Sequence, residues 1–130
     1  MALPPNLATN DIISETWVDA VVDSLTALQV TPWTAPSLLN GWVNNGGVYQ
    51  VARYRKVGDI VFLEGLIKTG AIGAVALTLP AGFRPLADIY LPAVSNTAFG
   101  ALLLQSNGNV TPAAGVSTWI ALNCHFSTVA

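Results

Sequence analysis

The feature that most constrains this chain is a change in the spacing of its apolar residues near residue 41. Over residues 10–29 apolar side chains recur at intervals of three and four, whereas downstream they alternate one by one with other residues. The first spacing lines one face of a helix, and the second lines one face of a strand. The sequence therefore predicts one N-terminal α-helix followed by a mainly β domain.

The downstream region has the pattern of short strands separated by turns. Alternation is clearest over 74–79 and 117–127, and Ile60 to Ile67 is apolar on both faces, which predicts a strand buried on two sides. Glycine and asparagine clusters mark the turns. Short strands with frequent turns favour an antiparallel β-sandwich or barrel-like head over residues 41–130. The predicted strands are 48–55, 59–68, 74–79, 88–94, 98–105 and 117–127.

Three segments precede this head. Residues 1–9 are predicted to form an extended arm because Pro4-Pro5 disfavours a helix, and residues 31–40, with Pro32 and Pro36, form a linker. Residues 10–30 are predicted to form an amphipathic helix that anchors or trimerises the protein. Its apolar residues fit either a coiled-coil seam or one apolar helix face, and they are Val18, Val21, Leu25 and Leu28.

The same helix carries an acidic stripe with a spacing of four residues. Like charges at this spacing repel one another by a few tenths of a kcal/mol per pair, and the helix dipole offsets this only in the first turn. The stripe is either a solvated outer face or a surface that docks on a basic partner protein. Its members are Asp11, Glu15, Asp19 and Asp23.

Charge is scarce in this chain. Of its 130 residues 52% are hydrophobic and only 9% are charged, although a small domain has much surface to cover. We therefore expect part of the surface to be buried between copies of the chain. Residues 53–130 hold five basic and three acidic residues, too few bases for a nucleic-acid footprint. No apolar run approaches the ~18–20 residues of a membrane span, so no membrane insertion is predicted.

Catalytic patterns are also scarce. The single histidine, His125, follows the single cysteine, Cys124, and neighbours on one strand point to opposite faces. No paired carboxylates or metal-ligand spacing is present. The sequence predicts neither an enzyme nor a cofactor, and a lone cysteine excludes an internal disulfide. In a trimer, three copies of His125 converging on an axis are the one arrangement that would hold a metal or an anion.

Binding residues are predicted on the last strand. Trp119 falls on its polar side together with Asn123 and His125. An exposed ring beside hydrogen-bonding groups fits a sugar-binding platform, and the alternative is a face packed against a sister subunit. Both interpretations place these three residues at a contact surface.

Several motifs occur in a fixed order from Trp33 to about Phe126. This order resembles the small β-structured tip domains of bacteriophage tail fibres and receptor-binding proteins. The resemblance implies a homotrimer on the tail or capsid exterior of a virion, with phage structural proteins and a host-surface glycan or protein as partners. The alternative is a capsid decoration or head-fibre protein anchored by its arm and helix. The motifs are Asn40-Gly41-Trp42, Tyr54-Arg55-Lys56-Val57-Gly58-Asp59-Ile60-Val61, Leu63-Glu64-Gly65, Leu79-Pro80-Ala81-Gly82-Phe83-Arg84-Pro85, Asn107-Gly108-Asn109-Val110 and Trp119.

Overall fold

The computed structural model of the protein describes residues 15–27 and 29–129. The predicted arm and two of the singled-out side chains, Asp11 and Leu28, lie outside the described residues. Within these ranges one helix, α1 (Glu15–Ala27), precedes ten strands. The strands are β1 (Val43–Asn44), β2 (Arg53–Val57), β3 (Ile60–Glu64), β4 (Leu66–Lys68), β5 (Leu77–Thr78), β6 (Ile89–Ser95), β7 (Ala98–Leu104), β8 (Asn109–Ala114), β9 (Ile120–Ala121) and β10 (Cys124–Ser127).

The strands form two antiparallel sheets. One has seven strands in the order β1-β4-β9-β6-β7-β8-β5, and the other has three in the order β10-β3-β2. Together they curl around one apolar core, as a barrel-like head does. The predicted fold class, a mainly β antiparallel head after one helix, is confirmed.

The two sheets are joined where two long strands bend together. β3 and β4 are halves of one strand that bends at Gly65, and β9 and β10 are halves of its partner. Gly65 has φ 135°, its N–H donates to Asn123 Oδ1 at 3.0 Å, and its carbonyl accepts from the Leu122 N–H at 2.8 Å. The predicted strands 59–68 and 117–127 therefore each divide, because both pass from one sheet to the other at this corner.

The prediction that Ile60 to Ile67 is buried on two sides is wrong for this chain. Val61 and Leu63 are fully buried, but Phe62, on the opposite face, is 37% exposed. β3 lies between β2 and β10, and only the inner face of this small sheet covers the core.

The core is closed at one end by Trp42. This ring is 2% exposed and lies directly on Gly70, where an added Cβ would come within 2.2 Å of it. Its indole N–H donates to the Ala74 carbonyl at 3.3 Å. The other large, fully buried side chains are Val61, Leu63, Ile67, Leu77, Leu79, Leu102, Leu104, Val110, Pro112, Ile120 and Leu122.

Other differences from the predicted strands follow from local backbone geometry. β2 begins at Arg53 rather than at residue 48, because Gly46 and Gly47 adopt positive φ and hold residues 45–50 in a loop. β8, which was not predicted, pairs with both β7 and β5. It begins at Asn109, inside the glycine and asparagine cluster that marks the turn around Gly108, so the sequence pattern conceals its start.

The segment predicted as a linker partly belongs to the small sheet. Val30 bridges Val57, and Thr34 and Tyr54 exchange two backbone hydrogen bonds of 2.9 Å. α1 ends at Ala27, so the predicted helix boundary at residue 30 is too late. Residues 30–34 thus cover the free edge of β2 and fix where the helix leaves the head.

Candidate functional site

A concave pocket on the head combines aromatic and amide side chains. We call it the Trp119 pocket, and it has a volume of about 330 Å³. Ligand pockets begin at roughly 300 Å³, so it suits one small ligand unit. It is lined by Asn45, Tyr49, Leu66 and Trp119.

A separate cleft lies beside the Leu79-to-Pro85 run and has a volume of about 410 Å³. In that second cleft, the Arg84 side chain donates to the Leu79 carbonyl at 2.8 Å, and the Phe83 ring meets the Tyr54 ring edge-on at 5.2 Å. The Arg84 side chain thus closes the run on itself, and the Phe83 ring packs it against β2. The run is a structural turn, and the Trp119 pocket is the better candidate for ligand binding.

One wall of the Trp119 pocket is the loop 45–50. The Asn45 N–H donates to the Leu66 carbonyl at 2.8 Å, and the Leu66 N–H donates to the Gln50 carbonyl at 3.0 Å. Both ends of the loop are therefore tied to one residue of β4. The loop presents Tyr49, 57% exposed, on a fixed base.

The opposite wall is Trp119, which is held through its backbone. The Trp119 carbonyl accepts from the Asn96 N–H at 3.2 Å and from the Ser95 hydroxyl at 3.1 Å. The Ser95 oxygen also accepts from the Val116 N–H at 2.8 Å. One buried hydroxyl therefore hydrogen-bonds to the backbone of both Val116 and Trp119. Gly115 is required here, since an added Cβ would lie 2.6 Å from that oxygen.

The polar groups of the pocket are unused within the described residues. The Asn45 side-chain amide, the Tyr49 hydroxyl and the Trp119 indole N–H have no hydrogen-bond partner there. No charged side chain lines the pocket. Sequence reasoning missed Asn45 and Tyr49, because it assigned the glycines between them to a turn. The tyrosine next to that turn was the one signal in the sequence that could have indicated a binding loop.

The structure separates Trp119 from the two residues predicted beside it. Asn123 and His125 line another depression, of about 250 Å³, between β6 and β10. The Asn123 side-chain oxygen Oδ1 accepts from the Gly65 N–H at 3.0 Å, and the His125 ring centre lies 5.9 Å from that of Phe62. The bend at Gly65 is the reason, because it turns β10 away from the sheet that carries Trp119.

The outer face of the small sheet carries a cationic cluster. The Arg53 and Arg55 guanidinium groups lie 4.1 and 4.5 Å from the centre of the Trp33 ring. Arg53 also pairs with Glu64, with 2.6 Å between Nε and Oε1. The Nε of Arg55 is buried and has no hydrogen-bond partner among the described residues. This cluster fixes Trp33, and with it residues 30–34, on β2.

Cys124 is a packing residue in this structure. It lies against the core from the edge strand β10, and burial raises the pKa of its thiol from 9.0 to about 12. The thiol therefore stays protonated at neutral pH and is a poor nucleophile. Among the described residues no group of three or more His, Cys, Asp and Glu side chains could hold a metal ion.

The predicted apolar and acidic faces of helix α1 are both largely exposed, unlike the inward apolar faces of the strands in the head. Val18 is 41% and Leu25 is 63% exposed, and Val21 is half-buried. Glu15, Asp19 and Asp23 are exposed, and none forms an ion pair with another described residue. Over residues 15–27 and 29–129, no helix has the length and apolar character to span a bilayer.

Comparison with known proteins gives a structural relative. No protein-family model matches the sequence, and no curated protein matches it. The fold is similar to that of the receptor binding protein (gp15) of Listeria phage PSA, with a TM-score of 0.64 and 22% sequence identity. The similarity covers 89% of this chain and 75% of that one. At this identity it establishes the fold, and the predicted resemblance to phage receptor-binding proteins is confirmed at that level.

Proposed function

We propose that the protein is a bacteriophage virion protein that binds the host surface as a homotrimeric tail-fibre or receptor-binding tip. The observation that carries the proposal is the fold shared with a phage receptor binding protein over 89% of the chain. The Trp119 pocket supports a binding role, because it is concave and its polar groups are unused. Its chemistry is suited to recognition rather than to turnover.

The homotrimer is supported by apolar surface that a single chain leaves exposed. On the helix this surface includes Val18 and Leu25, and on the head it includes Tyr90 and Phe99, which are 70% and 73% exposed. Exposed apolar patches of this kind mark contacts with other chains. Three copies would pair their helix seams, with Val18, Val21 and Leu25 facing the axis.

The acidic helix face is proposed to dock on a partner protein of the virion. Glu15, Asp19 and Asp23 have no ion-pair partner among the described residues, and Asp11 extends the same four-residue spacing. A basic surface on an adjoining tail protein would complement this stripe. Asp19→Lys combined with Asp23→Lys should then release the protein from particles, whereas Glu64→Gln, which removes a half-buried charge on the head, should not.

Adsorption competition tests the attachment function. Purified protein, added in excess to a susceptible culture, should bind the cells and slow adsorption of the phage that carries it. Mass measurement in solution should give three times the chain mass of 13.6 kDa. Protein that binds no susceptible envelope and does not compete would contradict the attachment role, and a stable monomer would contradict the trimer.

The capsid-decoration alternative predicts a different location on the particle. The structural relative is a receptor binding protein, which does not favour that alternative. Electron microscopy of particles carrying a labelled chain decides the matter. Label at the tail tip agrees with the proposal, and label spread over the head contradicts it.

A further inference from the structure

We propose that the Trp119 pocket binds one uncharged sugar unit of a surface glycan. This inference rests on the proposed attachment function and deepens it by naming the contact site and the ligand class. The pocket consists of Asn45, Tyr49, Leu66 and Trp119.

The Trp119 pocket is small and has flat apolar walls. Its volume of about 330 Å³ lies at the lower end for ligand sites, which excludes a large rigid ligand and suits a single ring. The indole of Trp119 and the phenol of Tyr49 give it flat apolar surface. A pyranose ring has an apolar face of C–H groups that stacks on such surface, while its hydroxyl groups remain at the edge.

Three side chains that line the pocket carry polar groups able to bind a sugar. The Asn45 amide supplies a donor and an acceptor, the Tyr49 hydroxyl supplies both, and the Trp119 indole supplies a donor. None of them is used within the described residues. Sugar hydroxyl groups both donate and accept hydrogen bonds, so they match this mixed set better than a purely apolar ligand does.

The four residues that line the pocket carry no charge. An acidic sugar would call for a nearby cation, and the lining holds none. Lys68 lies two positions from Leu66 on the same face of β4, where it pairs with Val43 rather than lining the pocket. The site is therefore assigned to a neutral sugar.

Hydrogen bonds within the protein hold the Tyr49 loop and Trp119 in place without a ligand. Leu66 holds both ends of the Tyr49 loop, and Ser95 holds the carbonyl of Trp119. A preformed site loses little conformational entropy on binding. Ser95 is thus a positioning residue of the site, although it lies beneath the surface.

Titration with simple sugars tests the assignment. Methyl glycosides of neutral hexoses, of N-acetylhexosamines and, as the charged comparison, of uronic acids are added one at a time at millimolar concentration to the full chain labelled with ¹⁵N. At least one neutral glycoside should shift the Trp119 indole N–H signal and the Asn45 side-chain amide signals in a saturable way. Tyr49→Ala and Trp119→Ala should abolish saturation, read for Trp119→Ala from the Asn45 signals. Leu86→Ala, which removes a 62% exposed side chain that does not line the pocket, should leave saturation unchanged.

Further variants separate binding from folding and from charge. Ser95→Ala should weaken binding roughly fivefold without removing a lining side chain, because one hydrogen bond is worth about 1 kcal/mol. Lys68→Gln and about 0.5 M NaCl should have little effect, since a neutral ligand is not screened. Asn45→Ala provides a milder lining variant if Trp119→Ala fails to fold.

The outcomes distinguish this inference from the attachment role. No saturable shift with any of the neutral glycosides, or equal shifts of the Asn45 side-chain amide signals in Trp119→Ala, overturns the sugar site. Binding only of acidic glycosides, lost in Lys68→Gln, also overturns it. If Trp119→Ala still binds cells as the unaltered protein does, the sugar site is wrong while attachment stands; if the unaltered protein binds glycosides but no cells, the site stands and attachment fails.

Discussion

The β head and helix α1 each carry a periodic set of apolar side chains, but only the head buries its set. In the head the periodic side chains meet one another, and residues such as Leu104 and Leu122 are fully buried. In α1 the periodic residues Val18 and Leu25 remain exposed. The head therefore buries its own core, whereas helix α1 carries apolar side chains that the described residues leave uncovered.

Gly65→Ala should have the largest effect, because it breaks the corner that unites the head. The new Cβ would lie 2.5 Å from the Ala52 Cα, and the position has φ 135°. We expect a loss of at least about 4 kcal/mol in the free energy of unfolding, or no folded protein. Urea denaturation followed by tryptophan fluorescence measures this loss.

Gly73→Ala is the matched control for Gly65→Ala. Gly73 also has a positive φ of 91°, but an added Cβ would meet nothing within 4 Å. It should cost only about 1–2 kcal/mol from backbone strain. Equal losses in the two variants would show that the close approach to Ala52 is not what fixes the corner.

Two leucine substitutions test the difference between the regions directly. Leu122→Ala removes a fully buried side chain and should lower the free energy of unfolding of the head by about 3 kcal/mol. Leu25→Ala should leave the head unchanged and reduce the mass of the assembly in solution. A change in head stability of similar size from Leu25→Ala would contradict the division between head and helix.

Alkaline titration should produce a smaller effect that is confined to the head. Burial raises the pKa of Cys124 from 9.0 to about 12, so the unfolded chain releases the proton first. The contribution of the thiol to stability is present below about pH 9 and declines as the pH rises towards 12. Denaturation midpoints measured from pH 8 to 11 should fall less in Cys124→Ala than in the unaltered protein, and parallel profiles would contradict the shift.

The smallest effect is expected for the ion pair on the outer face of the small sheet. Arg53 and Glu64 are each about one third exposed at their side chains, so solvent screens their attraction. Glu64→Gln should lower the free energy of unfolding by less than about 1 kcal/mol. A larger loss would mean that Arg53 must be neutralised for Trp33 to stay in place.

The prediction from sequence succeeded where the pattern is local. Alternation identified the inward side of the last strand, since Ile120, Leu122 and Phe126 are buried as expected. It failed at Gly65, because a bend that moves a strand into another sheet leaves the alternation intact. The pairing of Trp119 with Asn123 and His125 was separated by that same bend, and Tyr49 came to Trp119 from a distant loop that periodicity does not report.

By itself the sequence determined one helix, a mainly β head and the scarcity of charge, because these depend on composition and on the spacing of neighbours. It also held the motif order that indicated a phage receptor-binding fold. Only the tertiary structure decided where the sheets join, which side chains share a pocket and which apolar face remains uncovered. Those features depend on contacts between residues far apart in the chain, such as Gly65 with Ala52 and Leu66 with both Asn45 and Gln50.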